Sequence, residues 1–203
     1  METENQTKEP TIDRKKNNIP ILLATMTIVV LAVVGTYIYL SNYINSNQNF
    51  SFTTIQNKTF HIKTTKNHIN IDELKGKIVF LKVFGWDCQY CQKEIPELIK
   101  LKKKFVNAFD IIAIEAQHHS NDFNINHIDK YHINYNIVDG DKQGKFLQYL
   151  RDEYKWDSVI PLTIVIDATG RVLAFEVGYK SYSLTTLLQT TLKQLTTVVS
   201  STK

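Results

Sequence analysis

Hydrophobic residues are distributed in two different ways along this chain of 203 residues. From residue 19 to residue 40, 22 consecutive positions carry no charged side chain. A helix of that length spans about 33 Å, at about 1.5 Å per residue, and a bilayer core is about 30 Å thick. Beyond residue 49, short apolar runs alternate with polar segments, which is typical of a folded domain. The pattern predicts a transmembrane segment at 19–40, a polar linker at 41–49 and a folded domain at 50–203.

The charges around the apolar segment predict its orientation. Arg14, Lys15 and Lys16 precede it, and the next charged residue after it is Lys58. The positive-inside rule then makes residues 1–18 a cytoplasmic tail and places the domain outside, in the periplasm if the membrane is an inner membrane. A cleaved signal peptide is the alternative, but its apolar core would be about 7–15 residues long and end at a small-x-small site. The longer core here favours an uncleaved, single-pass signal anchor.

Within the domain, alternating and helically spaced apolar residues predict a series of strands and helices. A hairpin at 50–62 is followed by a linker with a helical turn near 71–74. The further strands are predicted at Lys77–Phe84, Asp110–Ala116, Tyr135–Val138, Leu162–Asp167 and Arg171–Val177. The helices are predicted from Cys88 onward, at Asn121–Tyr131, at Lys142–Tyr154 and at Ser183–Thr197. This order of elements is typical of an α/β fold with a mixed central sheet flanked by helices.

Cys88 and Cys91 are the only cysteines in the chain. Their spacing suits half of a zinc site, a structural staple or a reversible dithiol. A zinc site needs about four ligands, which His118 and His119 could complete, although adjacent loop histidines are usually just solvated. A staple gains little, because so short a loop adds little stability through chain entropy. The residues therefore favour the dithiol and no metal site.

The predicted elements also suggest different roles for the two thiols. A strand that ends at a helix N-terminus places Cys88 where backbone N–H groups and the helix dipole stabilise a thiolate. Cys91, one turn further in, faces the sheet and is shielded. We therefore predict that Cys88 attacks a substrate disulfide and that Cys91 resolves the mixed disulfide. Asp87, Gln89 and Tyr90 add no positive charge, which favours a reducing dithiol over a strong oxidant.

Several motifs, taken together and in order, resemble one protein family. They are Cys88-Gln89-Tyr90-Cys91, Glu94 and Pro96 in a CxxCxxExP pattern, and the segment from Trp156 to Gly178. The domain resembles the thioredoxin fold in its membrane-tethered, TlpA-like or ResA-like bacterial branch. The resemblance implies a thioredoxin-like domain whose redox centre is the Cys88–Cys91 disulfide, with no other cofactor.

The same resemblance implies a substrate-binding loop. Pro161 corresponds to the family's cis-proline, in a loop that faces the cysteines. The backbone of Ile160 would then pair with an extended substrate segment as an added strand. Trp86, one place before the family's usual tryptophan position, is a further candidate for substrate contact. Two positions depart from the family: Asp87 stands where that tryptophan is usual, and Lys82 stands where a buried acid or Asn often assists proton transfer.

The implied function is extracytoplasmic thiol–disulfide exchange, in the direction of disulfide reduction. Family analogy points to disulfides of envelope proteins, with apocytochrome c cysteines among them, and to a membrane thiol protein as the electron donor. An oxidase or isomerase, and a tethered binding or metal-chaperone domain without enzymatic activity, remain open alternatives.

A peroxiredoxin would need a Thr-x-x-Cys motif, and the position three before Cys88 is Gly85. The net charge of +4 is not concentrated in a way that suggests nucleic acid binding.

Overall fold

The computed structural model describes the backbone of residues 19–200 and the side chains of residues 23–41 and 47–193. The predicted cytoplasmic tail, residues 1–18, therefore lies outside the described residues. The contacts divide the chain into two units, Met1–Asn42 and Tyr43–Lys203. The domain boundaries predicted from the sequence, after residues 18, 40 and 49, stay predictions.

The first unit contains most of helix α1 (Ile19–Ser46). Within this helix, Leu23–Ser41 is a stretch of 19 residues with a mean hydropathy of 2.1, and none of it is buried by other parts of the structure. The hydroxyls of Thr27 and Thr36 donate hydrogen bonds to backbone carbonyls four residues earlier, at 2.8 and 2.9 Å. Such bonds satisfy a hydroxyl within its own helix, as an apolar environment requires. The helix fits a single-pass membrane anchor in length and composition.

A three-stranded antiparallel sheet begins the second unit. Its strands are β1 (Asn49–Thr53), β2 (Thr59–Thr65) and β3 (His68–Ile71). Every second residue of β2 is buried, because successive side chains of a strand point to opposite faces. The hairpin predicted at 50–62 is confirmed by β1 and β2. The prediction of a linker directly after it is wrong, since β3 pairs with β2 there.

A five-stranded mixed sheet forms the centre of the second unit. Its strands are β4 (Ile78–Phe84), β5 (Phe109–Glu115), β6 (Asn136–Asp139), β7 (Leu162–Ile166) and β8 (Val172–Val177). They lie in the order β6-β5-β4-β7-β8. Strand β4 is parallel to β5 and antiparallel to β7. All residues of β4 and β5 are buried, as expected of strands that are covered on both faces.

Helices and the smaller sheet cover the two faces of this central sheet. The helices are α2 (Gln89–Lys104), α3 (Asn121–Tyr131), α4 (Gly144–Tyr154) and α5 (Leu184–Ser200). On one face, Leu81 and Val83 of β4 pack into a core with the three-stranded sheet and α4. On the other face, Phe80 and Phe84 pack into a core with α2 and α5. This confirms the α/β fold with a mixed sheet that the element order and the family resemblance predict.

Candidate active site

The two cysteines lie where β4 passes into α2. Cys88 is the N-cap residue of α2, and Cys91 lies in its first turn. They form a disulfide with their Cα atoms 5.2 Å apart. The Sγ atom of Cys88 also accepts a hydrogen bond from the backbone N–H of Cys91, at 3.2 Å. A thiolate at Cys88 would keep this donor and would lie at the positive end of the helix dipole.

The two sulfur-bearing side chains differ in exposure. Cys91 is only 2% exposed and packs on the same core face of α2 as Ile95 and Leu98. Cys88 is half-buried, at the edge of that core. The arrangement makes Cys88 the more accessible sulfur. It agrees with the prediction that Cys88 attacks and Cys91 resolves, which remains to be tested.

The loop before β7 faces the disulfide. Its Ile160–Pro161 peptide is cis, as the resemblance implies. The carbonyl oxygen of Ile160 lies 4.0 Å from the Sγ of Cys88. The loop is held from its other side, because the indole N–H of Trp156 donates to the carbonyl of Val159 at 2.9 Å. The half-buried Ile160 and the exposed Val159 thus present backbone and apolar side chains beside the disulfide.

Trp86 lies beneath the cysteines and not on the surface beside them. Its ring is 1% exposed, and its indole N–H donates to the Oδ1 of the buried Asn124 at 2.6 Å. It stacks on Tyr131, with ring centroids 6.0 Å apart. The carbonyl of Trp86 accepts a hydrogen bond from the side chain of Gln92. These contacts fix the loop between β4 and α2 to α3, and they give no support to the prediction that Trp86 contacts substrate.

Lys82 forms a buried ion pair in the same region. Its Nζ lies 2.6 Å from the Oε2 of Glu94 and donates a second hydrogen bond to the hydroxyl of Thr163, also at 2.6 Å. The Lys82 side chain is 1% exposed. Burial lowers the pKa of Lys82, and the neighbouring carboxylate of Glu94 opposes that shift. The position where the family often has an acid therefore carries a cation, whose partner is the glutamate one turn beyond Cys91.

A second polar group lies on the exposed side of Cys88. The Nε2 of His119 lies 3.0 Å from the Oδ2 of Asp87, and its Nδ1 lies 3.1 Å from the Oε1 of the buried Glu115. The His119 ring also stacks on Phe123 at 4.1 Å. Its side chain is only 18% exposed. The expectation that both loop histidines are solvated is therefore wrong for His119.

His118 and His119 point to different partners. His118 is 77% exposed and pairs with Asp141, whose hydrogen bond raises the pKa of His118. Within the residues that the structure describes, no group of three His, Cys, Asp or Glu side chains is arranged to hold a metal ion. The two histidines thus contact three carboxylates, His118 that of Asp141 and His119 those of Asp87 and Glu115.

An exposed aromatic pair flanks the disulfide on a further side. Tyr90, between the cysteines, stacks on Tyr179 with ring centroids 5.0 Å apart. The ammonium of Lys93 lies over both rings, 5.1 Å and 5.8 Å from their centroids. The sequence had indicated Tyr90 only as an uncharged neighbour of the thiols, and it gave no signal for Tyr179. Both tyrosines are about half exposed and available to a partner.

Comparison with known proteins is consistent with this geometry. The sequence model of the AhpC/TSA family matches residues 52–175. A protein named thiol-disulfide oxidoreductase ResA from Bacillus subtilis is 29% identical over 123 residues, which cover 60% of this chain and 64% of the relative. Its namesake from Bacillus thuringiensis is 30% identical over 129 residues, which cover 62% of this chain and 64% of the relative. The chain therefore spans less than two thirds of the length of these relatives.

Solved structures share the fold at lower identity. The crystal structure of a DsbF homologue from Corynebacterium diphtheriae superposes with a TM-score of 0.55. The two chains are 18% identical, and the match covers 71% of this chain and 83% of that one. At this identity the likeness concerns the arrangement of the strands and helices.

Proposed function

This chain belongs to the AhpC/TSA family, with a thioredoxin-like fold, and from that membership we propose that it catalyses thiol–disulfide exchange through Cys88 and Cys91. The observation that carries the proposal is the disulfide at the N-terminus of α2, with the half-exposed Cys88 facing the Ile160 carbonyl at 4.0 Å. An exposed sulfur at a helix N-terminus, backed by a buried partner thiol, is suited to attack and release.

The reaction runs as a balanced two-step exchange. The Cys88 thiolate attacks one sulfur of a substrate disulfide, the substrate S–S bond breaks, and the other substrate sulfur leaves as a thiolate that takes up a proton. Cys91 then loses its proton and attacks the sulfur of Cys88. The second substrate sulfur leaves and is protonated. Two electrons and two protons pass to the substrate, and the Cys88–Cys91 disulfide forms.

A substrate segment would dock along the loop before β7. The backbone of Ile160 lies beside Cys88 and offers an edge to which an extended peptide adds as a strand. The exposed rings of Tyr90 and Tyr179 and the side chain of Val159 supply apolar surface around the same point. We assign these residues, with Pro161, to substrate binding.

We further propose that the domain acts as a reductase outside the cytoplasm, anchored by α1 in the inner membrane. The apolar stretch Leu23–Ser41 and the basic residues Arg14–Lys16 support this orientation. The substrates would be disulfides of envelope proteins, apocytochrome c cysteines among them, and a membrane thiol protein would reduce the Cys88–Cys91 disulfide again. No cofactor besides this disulfide is needed for the electron balance.

The reaction is not that of a peroxiredoxin. The position three before Cys88 is Gly85, where a peroxidatic motif has Thr. A Cβ atom at Gly85 would overlap the side chain of Gln117, whose Oε1 accepts a hydrogen bond from the backbone N–H of Asp87 at 2.8 Å. A side chain at Gly85 would therefore displace Gln117 from its contact with Asp87.

The proposal is tested by equilibrating the full-length protein in detergent with defined thiol–disulfide buffers. A reversible two-electron couple that disappears in Cys88→Ser and in Cys91→Ser supports it. Insulin disulfide reduction by the wild-type protein, and none by either variant, supports the reductase direction. A disulfide that the buffers cannot reduce without unfolding the domain would instead make it a structural staple.

A further inference from the structure

His119 is held between two carboxylates by both nitrogens of its ring. The Nδ1 faces the Oε1 of Glu115 at 3.1 Å, and the Nε2 faces the Oδ2 of Asp87 at 3.0 Å. A neutral imidazole donates a hydrogen bond from one nitrogen only, whereas an imidazolium donates from both. Ionised carboxylates only accept. The geometry is therefore fully satisfied by the positively charged form of His119.

The other surroundings of the ring suit a cation as well. Phe123 of α3 stacks on the ring of His119 at 4.1 Å with an angle of 10° between the planes. A cation over the face of an aromatic ring is attracted by the ring quadrupole. The opposite side of Phe123 is covered by His127, at 4.0 Å. Among the residues that the structure describes, the charged groups that contact the His119 ring are Asp87, from the loop before α2, and Glu115, from β5.

The loop that carries His119 does not depend on its ring. The carboxylate of Glu115 accepts a hydrogen bond from the backbone N–H of Gln117 at 2.7 Å and another from the backbone N–H of His119 at 3.2 Å. These two bonds remain when the imidazole is replaced. The ring itself adds contacts to the Oε1 of Glu115, to Phe123 and to Asp87, and the contact to Asp87 is the one that reaches the residue beside Cys88.

Asp87 is the residue directly before Cys88, and its side chain is 68% exposed. An unpaired carboxylate next to the attacking sulfur opposes the thiolate by charge repulsion. We propose that His119 is a positioning residue of the exchange site, whose imidazolium form neutralises Asp87 and so favours the Cys88 thiolate. This inference rests on the proposed function, because it assigns the role to the thiol that performs the attack.

The proposal is tested by measuring the rate at which iodoacetamide alkylates Cys88. Every protein is full-length, reduced and in detergent, and carries Cys91→Ala so that one thiol is present. We expect His119→Gln to lower the rate at pH 7 by about three- to ten-fold, the range for one screened unit charge several ångströms away. The matched control is His118→Gln, since His118 is exposed and pairs with Asp141; it should leave the rate unchanged.

Two further measurements separate electrostatics from a structural effect. In an Asp87→Asn background, His119→Gln should have a clearly smaller effect, because the repulsion from Asp87 that His119 offsets is gone. As the pH rises to about 9, where the thiolate forms in every variant, the rates of the parent and His119→Gln should converge. A rate for His119→Gln that equals the parent's at pH 7 overturns the inference. The inference is also overturned if His119→Gln lowers the alkylation rate by the same factor in the Asp87→Asn background, or if it lowers the rate equally at every pH.

The outcome is independent of the wider function. Alkylation forms one S–C bond, expels iodide and requires no protein partner. If the Cys88–Cys91 disulfide is reduced and reoxidised reversibly but His119→Gln leaves the alkylation rate unchanged, only this inference is overturned. An effect of His119→Gln on a protein whose disulfide does not cycle would overturn the proposed function and leave the electrostatic role of His119 in place.

Discussion

Lys82 of β4 and Glu94 of α2 form an ion pair of 2.6 Å, and both side chains are buried. Glu94 follows Cys91 by one turn of α2, so the pair joins the central strand to the helix that carries both cysteines. Desolvating two charges is costly, and the cost is recovered only while both partners are present.

Removal of either partner should therefore destabilise the domain. We expect Glu94→Gln and Lys82→Met each to lower the free energy of unfolding by about 3–5 kcal/mol, since each leaves a buried charge without its partner. The two tryptophans of the chain, Trp86 and Trp156, both lie in the second unit, so their fluorescence during denaturant unfolding reports on this domain.

The double variant is the informative control. Lys82→Met combined with Glu94→Met replaces the pair by apolar groups and should recover most of the loss. Lys103→Met, at an exposed position of the same helix, should have little effect. Additive losses in the double variant would show that the two side chains do not act as a pair.

The two single-cysteine variants should differ in their ability to trap substrates covalently. Cys91→Ala keeps the attacking thiolate but cannot release a mixed disulfide, so it should accumulate reductant-sensitive covalent adducts with its partners. Cys88→Ala leaves a thiol that is 2% exposed and should trap almost nothing. Non-reducing gels show the adducts, and mass spectrometry of them identifies the substrates. Equal trapping by both variants would refute the assigned order of attack.

The reduction potential distinguishes a reductase from an oxidase. Gln89 and Tyr90 bring no charge next to Cys88, and His119 at most neutralises the negative charge of Asp87, so no net positive charge beside Cys88 specially stabilises the reduced form. We expect a potential nearer to about −270 mV, as in thioredoxin, than to about −120 mV, as in DsbA. It is measured in glutathione or dithiothreitol buffers by trapping the free thiols. A value above roughly −160 mV would reverse the assignment to an oxidant.

Glu97 should make the stability depend on pH in the acid range. Its carboxylate accepts hydrogen bonds from the backbone N–H groups of Leu184 and Thr185 at the start of α5, at 3.1 and 2.8 Å. Burial raises the pKa of Glu97, but these bonds and that of the Thr185 hydroxyl outweigh it and bring the pKa below its usual value. A carboxyl group whose pKa is lower in the folded state stabilises the fold at pH values above its unfolded-state pKa, which is about 4.3 for Glu. This stabilisation is lost as the pH falls through the folded-state pKa.

We therefore expect Glu97→Gln to be less stable than the wild type by about 1–3 kcal/mol at pH 7, as for hydrogen bonds to a charged group. The difference should shrink as the pH falls from about 5 to 3, where the wild type loses the same charge. Thermal unfolding followed by tryptophan fluorescence at a series of pH values measures the stability of the wild type and of Glu97→Gln as a function of pH. A difference that stays constant over this range would show that ionisation of Glu97 is not its source.

The orientation of the anchor is tested with protease on cells whose outer layer has been made permeable. The proposed orientation, which follows from the basic residues before the apolar segment, has the domain outside the cytoplasm. Protease should then remove residues 50–203 while a cytoplasmic marker stays intact. Protection of the domain until the inner membrane is lysed would contradict the proposed orientation.

The sequence predicted those features that depend on local periodicity or on short motifs. Dense β-branched runs gave β4 and β7, and the helical spacing of Cys91, Ile95 and Leu98 gave the buried face of α2. The strand and helix signals each lie within one element, where chain neighbours determine the structure. The two-cysteine motif indicated where the disulfide lies, and the cis peptide at Pro161 in the loop that faces it was implied by the family resemblance.

The features that sequence reasoning missed depend on contacts between distant residues. Strand β3 is only four residues long and is stabilised by pairing with β2. His119 reaches Asp87 across 32 positions, and Tyr179 reaches Tyr90 from the turn after β8. Lys82 and Glu94 are 12 positions apart, and no local pattern in the sequence indicates that they pair. The packing of α2 on β4 brings them together. Their partners are determined by tertiary packing, which a local pattern does not contain.

The position of β4 has a consequence for motion at the redox centre. This strand is buried along its whole length, pairs with β5 and β7, and leads directly into the loop before Cys88. Backbone amides of such a strand exchange their hydrogens with solvent only when the whole domain opens. The base of the active site therefore belongs to the slowest-exchanging part of the molecule. In the proposed exchange reaction, oxidation and reduction would act on a rigid frame, and adaptation to a partner would fall to the exposed loops around it.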